Sequence, residues 1–276
     1  MIERRRVRFT GYAILVGASL VALYPFVSIL GLALSRPGER PGGFAVPTSL
    51  YFGNFARAWE QGLFSSALVS SLVVAVAVVV GTLVLAVPAG YALGTAGGKG
   101  MAVTAGVLLI GLVMPYEAMV IPLYDLFKGW GLINTYWALI LPQIGLSLSF
   151  ATLWLRTSFS QTPRGLVEAA SIDGASRVRT LWSVVLPVTM PAVLTLATLL
   201  FLFTWNEFLL ALVLVPDNPS VQTAPLALSF FAGNRRTGDP AVTAAAAVLV
   251  ALPVLLFYVV LQRRFISGVL AGAVKE

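Results

Sequence analysis

Four stretches of the chain carry no Asp, Glu, Lys or Arg: Phe9 to Ser35, Gln61 to Gly98, Gly129 to Leu155 and Pro240 to Gln262. Each is longer than the ~20 residues an α-helix needs to cross a bilayer core. Two more apolar runs, from about Met101 to Leu123 and from about Val184 to Val215, are interrupted only by Glu117 and Glu207. The pattern predicts an all-α polytopic membrane protein with six transmembrane helices, at about 9–34, 63–94, 101–123, 134–155, 184–215 and 240–262. Six spans put both termini on one side of the membrane.

Composition agrees with this. The 276 residues are 58% hydrophobic and 11% charged, against roughly 25% charged in an average soluble domain. The basic start "MIERRRVRF" followed by an apolar run invites comparison with a secretory signal, but the run exceeds the about 7–15 residues of a signal's apolar core and reads as a retained first helix. No loop reaches 30 residues, too little to bury a core of its own, so residues 1–276 are expected to form a single domain.

The net charge of +7 does not gather on a face as a nucleic-acid surface would require. It sorts between the two sides of the membrane. Arg4, Arg5, Arg6, Arg8, Lys99, Arg156, Arg164, Arg177, Arg179, Arg263, Arg264 and Lys275, twelve in all, share the side of the termini; Arg36, Arg40, Arg57, Lys128, Arg235 and Arg236, six, lie opposite. The richer side is expected to be cytoplasmic. On the other side, segment 35–49 is rich in Pro and Gly and should be irregular, Phe52, Phe55 and Trp59 are expected to face the membrane interface as one side of a short helix, and the long loop 216–240 has an apolar centre.

With no Cys and no His, disulfides, thiol nucleophiles and the usual zinc ligand sets are excluded; no metal site and no catalytic residue is expected. The run "GTAGGKGM" fails as a phosphate-binding loop, because Leu93 stands where the first glycine is needed and Gly100 where Ser or Thr would follow the lysine. Glu117 and Glu207 remain, and a carboxylate within a span is costly enough to mark a functional site. Asn206 and Glu207 are candidates for a substrate pathway, with interhelical hydrogen bonding as the plainer alternative.

The longest cytoplasmic loop, 156–183, contains "TPRGLVEAASIDGAS". Thr162 and Pro163 suit a cap and first turn, Leu166, Val167, Ala169, Ala170 and Ile172 form an apolar strip, and Gly174 can end the helix with a positive φ. A free helix this short is marginal in water, so it wants a partner.

"EAASIDGAS" followed by "VVLPVTMPAV" resembles the EAA loop of ATP-binding-cassette (ABC) importer permeases. "PLYDLFKGWGLINTYWALILP", "FTWNEFLLALVL", "QTAPLALSFF" and the tail "QRRFISGVLAGAVKE" resemble the carbohydrate branch, in particular the maltose-permease G-type subunit, from about residue 50 onward. The tail departs from the pattern in ending Lys275-Glu276 where Lys-Gly is common.

The resemblance implies a type I ABC importer permease in the cytoplasmic (inner) membrane of a prokaryote. This chain would be one membrane half, partnered by a second permease subunit as a heterodimer, two ABC ATPases, an extracytoplasmic solute-binding protein and membrane lipid. It would hold no cofactor, ATP and Mg being bound by the ATPases. Glu168, Ala169, Ala170, Asp173, Gly174 and Ala175 would couple to an ATPase, with Leu186-Pro187 and Pro191 shaping the attachment to the fifth span. Gly268, Ala271, Gly272 and Lys275 would reach between the ATPases, and Gln222, Pro225, Phe230 and Phe231 would touch the binding protein. A glycerol-phosphate type importer is a close variant. A proton-coupled secondary transporter using Glu117 and Glu207 is the rival from another class, but it gives no reason for the cytoplasmic helix-turn-helix.

Overall fold

The computed structural model describes residues 2–39, 50–95, 98–233 and 239–273, with side chains described over 10–39, 50–95, 98–233 and 239–259. These residues are helical, without a strand among them. In chain order the helices are α1 (Ile2–Ala33), α2 (Gly53–Gln61), α3 (Phe64–Thr95), α4 (Lys99–Val113), α5 (Tyr116–Gly129), α6 (Tyr136–Ser160), α7 (Arg164–Ile172), α8 (Arg177–Thr180), α9 (Leu186–Trp205), α10 (Leu209–Leu214), α11 (Ala224–Gly233) and α12 (Pro240–Ala273). A π-helical turn, Leu181–Val185, joins α8 to α9 without interruption.

Five helical stretches are long and apolar enough to span a membrane: Thr10–Ala33, Phe64–Thr95, Tyr136–Ser160, Arg177–Trp205 and Pro240–Val259. A sixth requires α4 and α5 together, and these are bent by 92°. The run 101–123, expected as one helix, is therefore two. The cause is Pro115, which has no N–H to continue the ladder and biases the preceding residue away from the helical region; Met114 is extended at φ −63°, ψ 128°. The expected fifth span, 184–215, starts earlier and ends at Trp205. There the Asn206 side chain donates to Leu202 O at 2.8 Å, and Phe208 leaves helical geometry at φ −121°, ψ −42°.

The chain divides into two compact units, one drawn from Met1–Ser65 and Ala227–Pro253, the other from Ser66–Leu226 and Val254–Glu276. Two apolar clusters of the larger unit surround the elements that bear on the site. In the first, Val74 and Val78 of α3 meet Val120 and Phe127 of α5, Leu139 of α6 and Leu210 and Leu214 of α10. In the second, Ala86 and Val87 of α3 meet Leu155 and Phe159 of α6, Leu181 and Val185 of the π turn, and Leu196 and Leu200 of α9. Gly90 and Gly94 make the α3–α6 approach possible: a Cβ on Gly90 would lie 2.8 Å from Leu155 Cβ, and one on Gly94 2.8 Å from Arg156 O. Small residues one helical turn apart are the usual means of bringing membrane helices this close.

Segment 35–49 falls mostly outside the described residues, as do Arg235 and Arg236 of the 216–240 loop. The apolar centre of that loop is a helix, α11.

Candidate functional site: the α7–α8 turn and its attachment

The motif-bearing loop folds as a closed turn. Pro163 stands at the N-cap and α7 starts at Arg164; Thr162, expected as the cap, has a buried Oγ1 with no hydrogen-bond partner. Proline fits there because its fixed φ suits the helix entrance, where a missing N–H is harmless. At the other end Gly174 takes φ +74°. Its N–H donates to Ser171 O at 3.1 Å and the Ala175 N–H to Ala170 O at 2.9 Å, the paired closure of a Schellman motif. Ser176 then caps α8 by accepting from the Arg179 N–H at 3.3 Å.

The apolar strip expected on α7 divides between two faces. Ala170 is only 7% exposed, and Val167 packs against the cluster that contains Leu181 and Val185. Leu166 and Ala169 face outward, and Ile172 is 87% exposed. Val178 and Trp182 add to the outward apolar surface, with Glu168 and Asp173 exposed beside them. Ala175 is half-buried. Of the six residues read from the motif, five therefore line a surface or its turn, while Ala170 anchors the helix inward.

That anchorage leads into the membrane. α7 packs on α8 and on the π turn, which runs directly into α9. Pro187 lies within the first residues of α9 and Pro191 inside it, so the carbonyls one turn before each lack their ladder partner. The wider π turn stands next to this interrupted stretch, as such turns commonly stand where the regular ladder is broken. Thr189 Oγ1 donates back to Val185 O at 2.9 Å, a side-chain bond laid across the junction.

At the far end of α9, Glu207 accepts the Leu210 N–H at 2.8 Å through Oε1 and so caps α10. Asn206 is exposed and its amide is turned back on Leu202. Glu117 lies in the first turn of α5 and is exposed.

A polar clasp that the sequence reading missed fixes the 216–224 segment. Asn134, at φ +62°, donates its N–H to Leu214 O at 2.8 Å, and its side chain and carbonyl accept from Asp217 N–H (3.1 Å) and Asn218 Nδ2 (2.9 Å). Ser70 Oγ donates to Ser220 O at 2.9 Å and lies 2.9 Å from Tyr136 Oη, while Ser71 Oγ accepts the Ala224 N–H at 2.8 Å. Adjacent serines inside an otherwise apolar span were the available signal. Gln222 is drawn inward, donating to Pro216 O at 2.9 Å, and Pro225 is half-buried. Phe230 is exposed, and the Phe231 ring stands edge-on to Phe64 at 5.7 Å. Gly268, Ala271 and Gly272 fall within the last turns of α12, and Lys275 lies outside the described residues.

The profile of the family described as "Binding-protein-dependent transport system inner membrane component" matches residues 86–270, a stretch that includes the α7–α8 turn and α9. The chain belongs to this family. Among curated relatives, the permease is 33% identical over 255 residues to the trehalose transport system permease protein SugB of Mycobacterium tuberculosis, covering 92% of this chain and 93% of that one. It is 30% identical over 268 residues to the trehalose/maltose transport system permease protein MalG of Thermococcus litoralis, covering 95% and 96%. Its fold is that of a chain in the crystal structure of a bacterial ABC transporter involved in the import of the acidic polysaccharide alginate, with a TM-score of 0.78 and 24% identity over 94% of this chain and 97% of that one. The permease is thus a membrane-embedded transport subunit with the fold expected from its sequence.

Proposed function

We propose that the permease is one membrane half of an ABC importer for a carbohydrate, coupled to its motor through the α7–α8 turn. Its basic-rich side, with both termini, faces the cytoplasm. ATP and Mg are held by two partner ATPases, a second permease subunit completes the pathway, and an external binding protein delivers the solute. The carrying observation is the two-faced α7: Ile172 projects outward while Ala170 and Val167 sit against the π turn that continues into α9. A docked partner that moves this helix moves α9 with it. The match to relatives named for trehalose and maltose transport supports a carbohydrate as the solute.

In this reading the exposed apolar groups Ile172, Val178 and Trp182 carry the contact, and Glu168 and Asp173 set its register. Switching a gate from 1:99 to 99:1 takes about 5.5 kcal/mol, more than the ~0.2–1 kcal/mol of an exposed ion pair. Apolar burial at this surface must therefore do most of the coupling. Phe230 is the most accessible of the four residues assigned to the binding protein. Asn206 and Glu207, at the α9–α10 break, are assigned to the solute pathway, and the α12 tail from Gly268 to the contact with the motor.

Because the chain has no cysteine, Ile172→Cys provides a unique crosslinking site. In native membranes a short bifunctional reagent should join it to an ATP hydrolase, with the yield falling when solute-loaded binding protein and nucleotide shift the cycle. Failure to capture any ATPase from this position would overturn the proposal.

A further inference from the structure

The smaller unit contains a short helix for which the transport reading gives no role. In α2, Asn54 is fully buried and its Nδ2 donates to Ala33 O and Ser35 O, both at 2.8 Å, closing off the end of α1. Arg57 Nη2 donates to Asn54 Oδ1 at 2.6 Å and to Asp239 Oδ2 at 3.0 Å. Asp239 Oδ1 in turn accepts the Ala241 N–H at 3.0 Å in the first turn of α12. One side of α2 is therefore tied to the end of one span and the start of another, and α3 begins three residues after its last turn. The helix is thus held beside the ends of these two helices.

The remaining sides of α2 differ in chemistry. Phe52, Phe55 and Trp59, spaced three and four residues apart, share a stripe, with Phe52 66% and Trp59 44% exposed. The Phe52 and Phe55 rings lie 6.5 Å apart. Leu50 and Leu63, at either end, are also exposed. In α1, to whose end α2 is tied, Phe26, Val27 and Leu30 are exposed as well. Ala56 and Glu60 occupy the third side, also exposed. A helix anchored inward by a buried amide, aromatic on one flank and carboxylate-bearing on the other matches the headgroup boundary, where aromatic rings settle with one edge dry and one wet.

We infer that α2 is an interfacial helix whose Phe52–Phe55–Trp59 stripe is seated in the lipid headgroup and upper acyl region of the leaflet at which α1 ends and α3 begins. The partner is the bilayer itself. The buried network then transmits the depth of that stripe to the ends of α1 and α12, whatever solute the permease carries.

The test is spin labelling of the full-length permease in phosphatidylcholine–phosphatidylglycerol nanodiscs, with a nitroxide on Phe52→Cys, Trp59→Cys, Ala56→Cys or Glu60→Cys. Labels at 52 and 59 should collide more often with oxygen than with nickel ethylenediaminediacetate, and the ratio should reverse at 56 and 60. Equal nickel access at all four positions would place the stripe in water and overturn the inference. Shielding of 52 and 59 from both reagents would show a protein surface covering it, which also overturns the inference. All four positions are exposed or replaced by a smaller side chain, so the network around Asn54 stays intact. The readout requires no transport, so it stands or falls apart from the coupling proposal.

Discussion

Substituting Gly174 separates the shape of the turn from its chemistry. The residue sits at φ +74°, and a Cβ placed on it would meet no atom within 4 Å. Gly174→Ala therefore meets no steric obstacle and suffers only the backbone penalty of the left-handed region, about 1–2 kcal/mol, or roughly 5–30-fold in a two-state equilibrium. Asn tolerates that region better, so Gly174→Asn should fall between Gly and Ala. Gly174→Pro is of another order. It fixes φ near −65°, disfavours the helical geometry of Asp173, and removes the N–H that donates to Ser171 O. The expected cost is ~3 kcal/mol or more, over a hundredfold at ~1.4 kcal/mol per decade. The assay is ATP hydrolysis by the purified importer in nanodiscs with and without loaded binding protein, at matched levels of inserted permease. Stimulated hydrolysis should rank Gly, Asn, Ala and then Pro, with the last near the unstimulated level. Normal stimulation of Gly174→Pro would refute the argument that the turn passes force to α9.

Asn54→Ala strands two buried carbonyls, Ala33 O and Ser35 O, at ~1–3 kcal/mol each; a clear drop in the thermal midpoint of the detergent-purified protein is expected, and an unchanged midpoint would contradict the role given to the network. Glu207→Gln keeps an acceptor for the Leu210 N–H and should leave stability within about 0.5 kcal/mol, whereas Glu207→Ala removes the cap at a cost of about 1 kcal/mol. If uptake kinetics of the Gln variant match the parent, the carboxylate charge has no part in the solute pathway.

How much of this architecture was readable in advance depends on which interaction set each element. The charge-free windows located α1, α3, α6 and α12, because hydropathy alone decides whether a helix of that length can cross a bilayer. Gly174 was readable because its conformation is a property of one residue. The division of 101–123 was harder to read: Pro122, Pro142, Pro191 and Pro253 all sit inside continuous helices, whereas Pro115 ends one. The difference lies in Met114 and Pro115 both adopting extended geometry, and a proline by itself does not tell a break from a tolerated kink. The two-faced character of α7 was hidden for a related reason. Val167 and Ala170 turn inward only because the π turn is there to receive them, while Ile172 finds no intramolecular neighbour to cover it. The serine clasp brings together residues about 65 to 150 positions apart in sequence, a juxtaposition that no local motif announces.

The junction between α4 and α5 has a mechanical meaning. A straight helix through this point would need an amide hydrogen at Pro115 that the residue does not possess, along with helical geometry at Met114 that the proline ring opposes. Straightening would thus be resisted by ~3 kcal/mol or more before any packing is disturbed. The break at Met114-Pro115 is therefore kept through transport: α4 and α5 remain two helices, and no step of the cycle can merge them into one straight span without that cost.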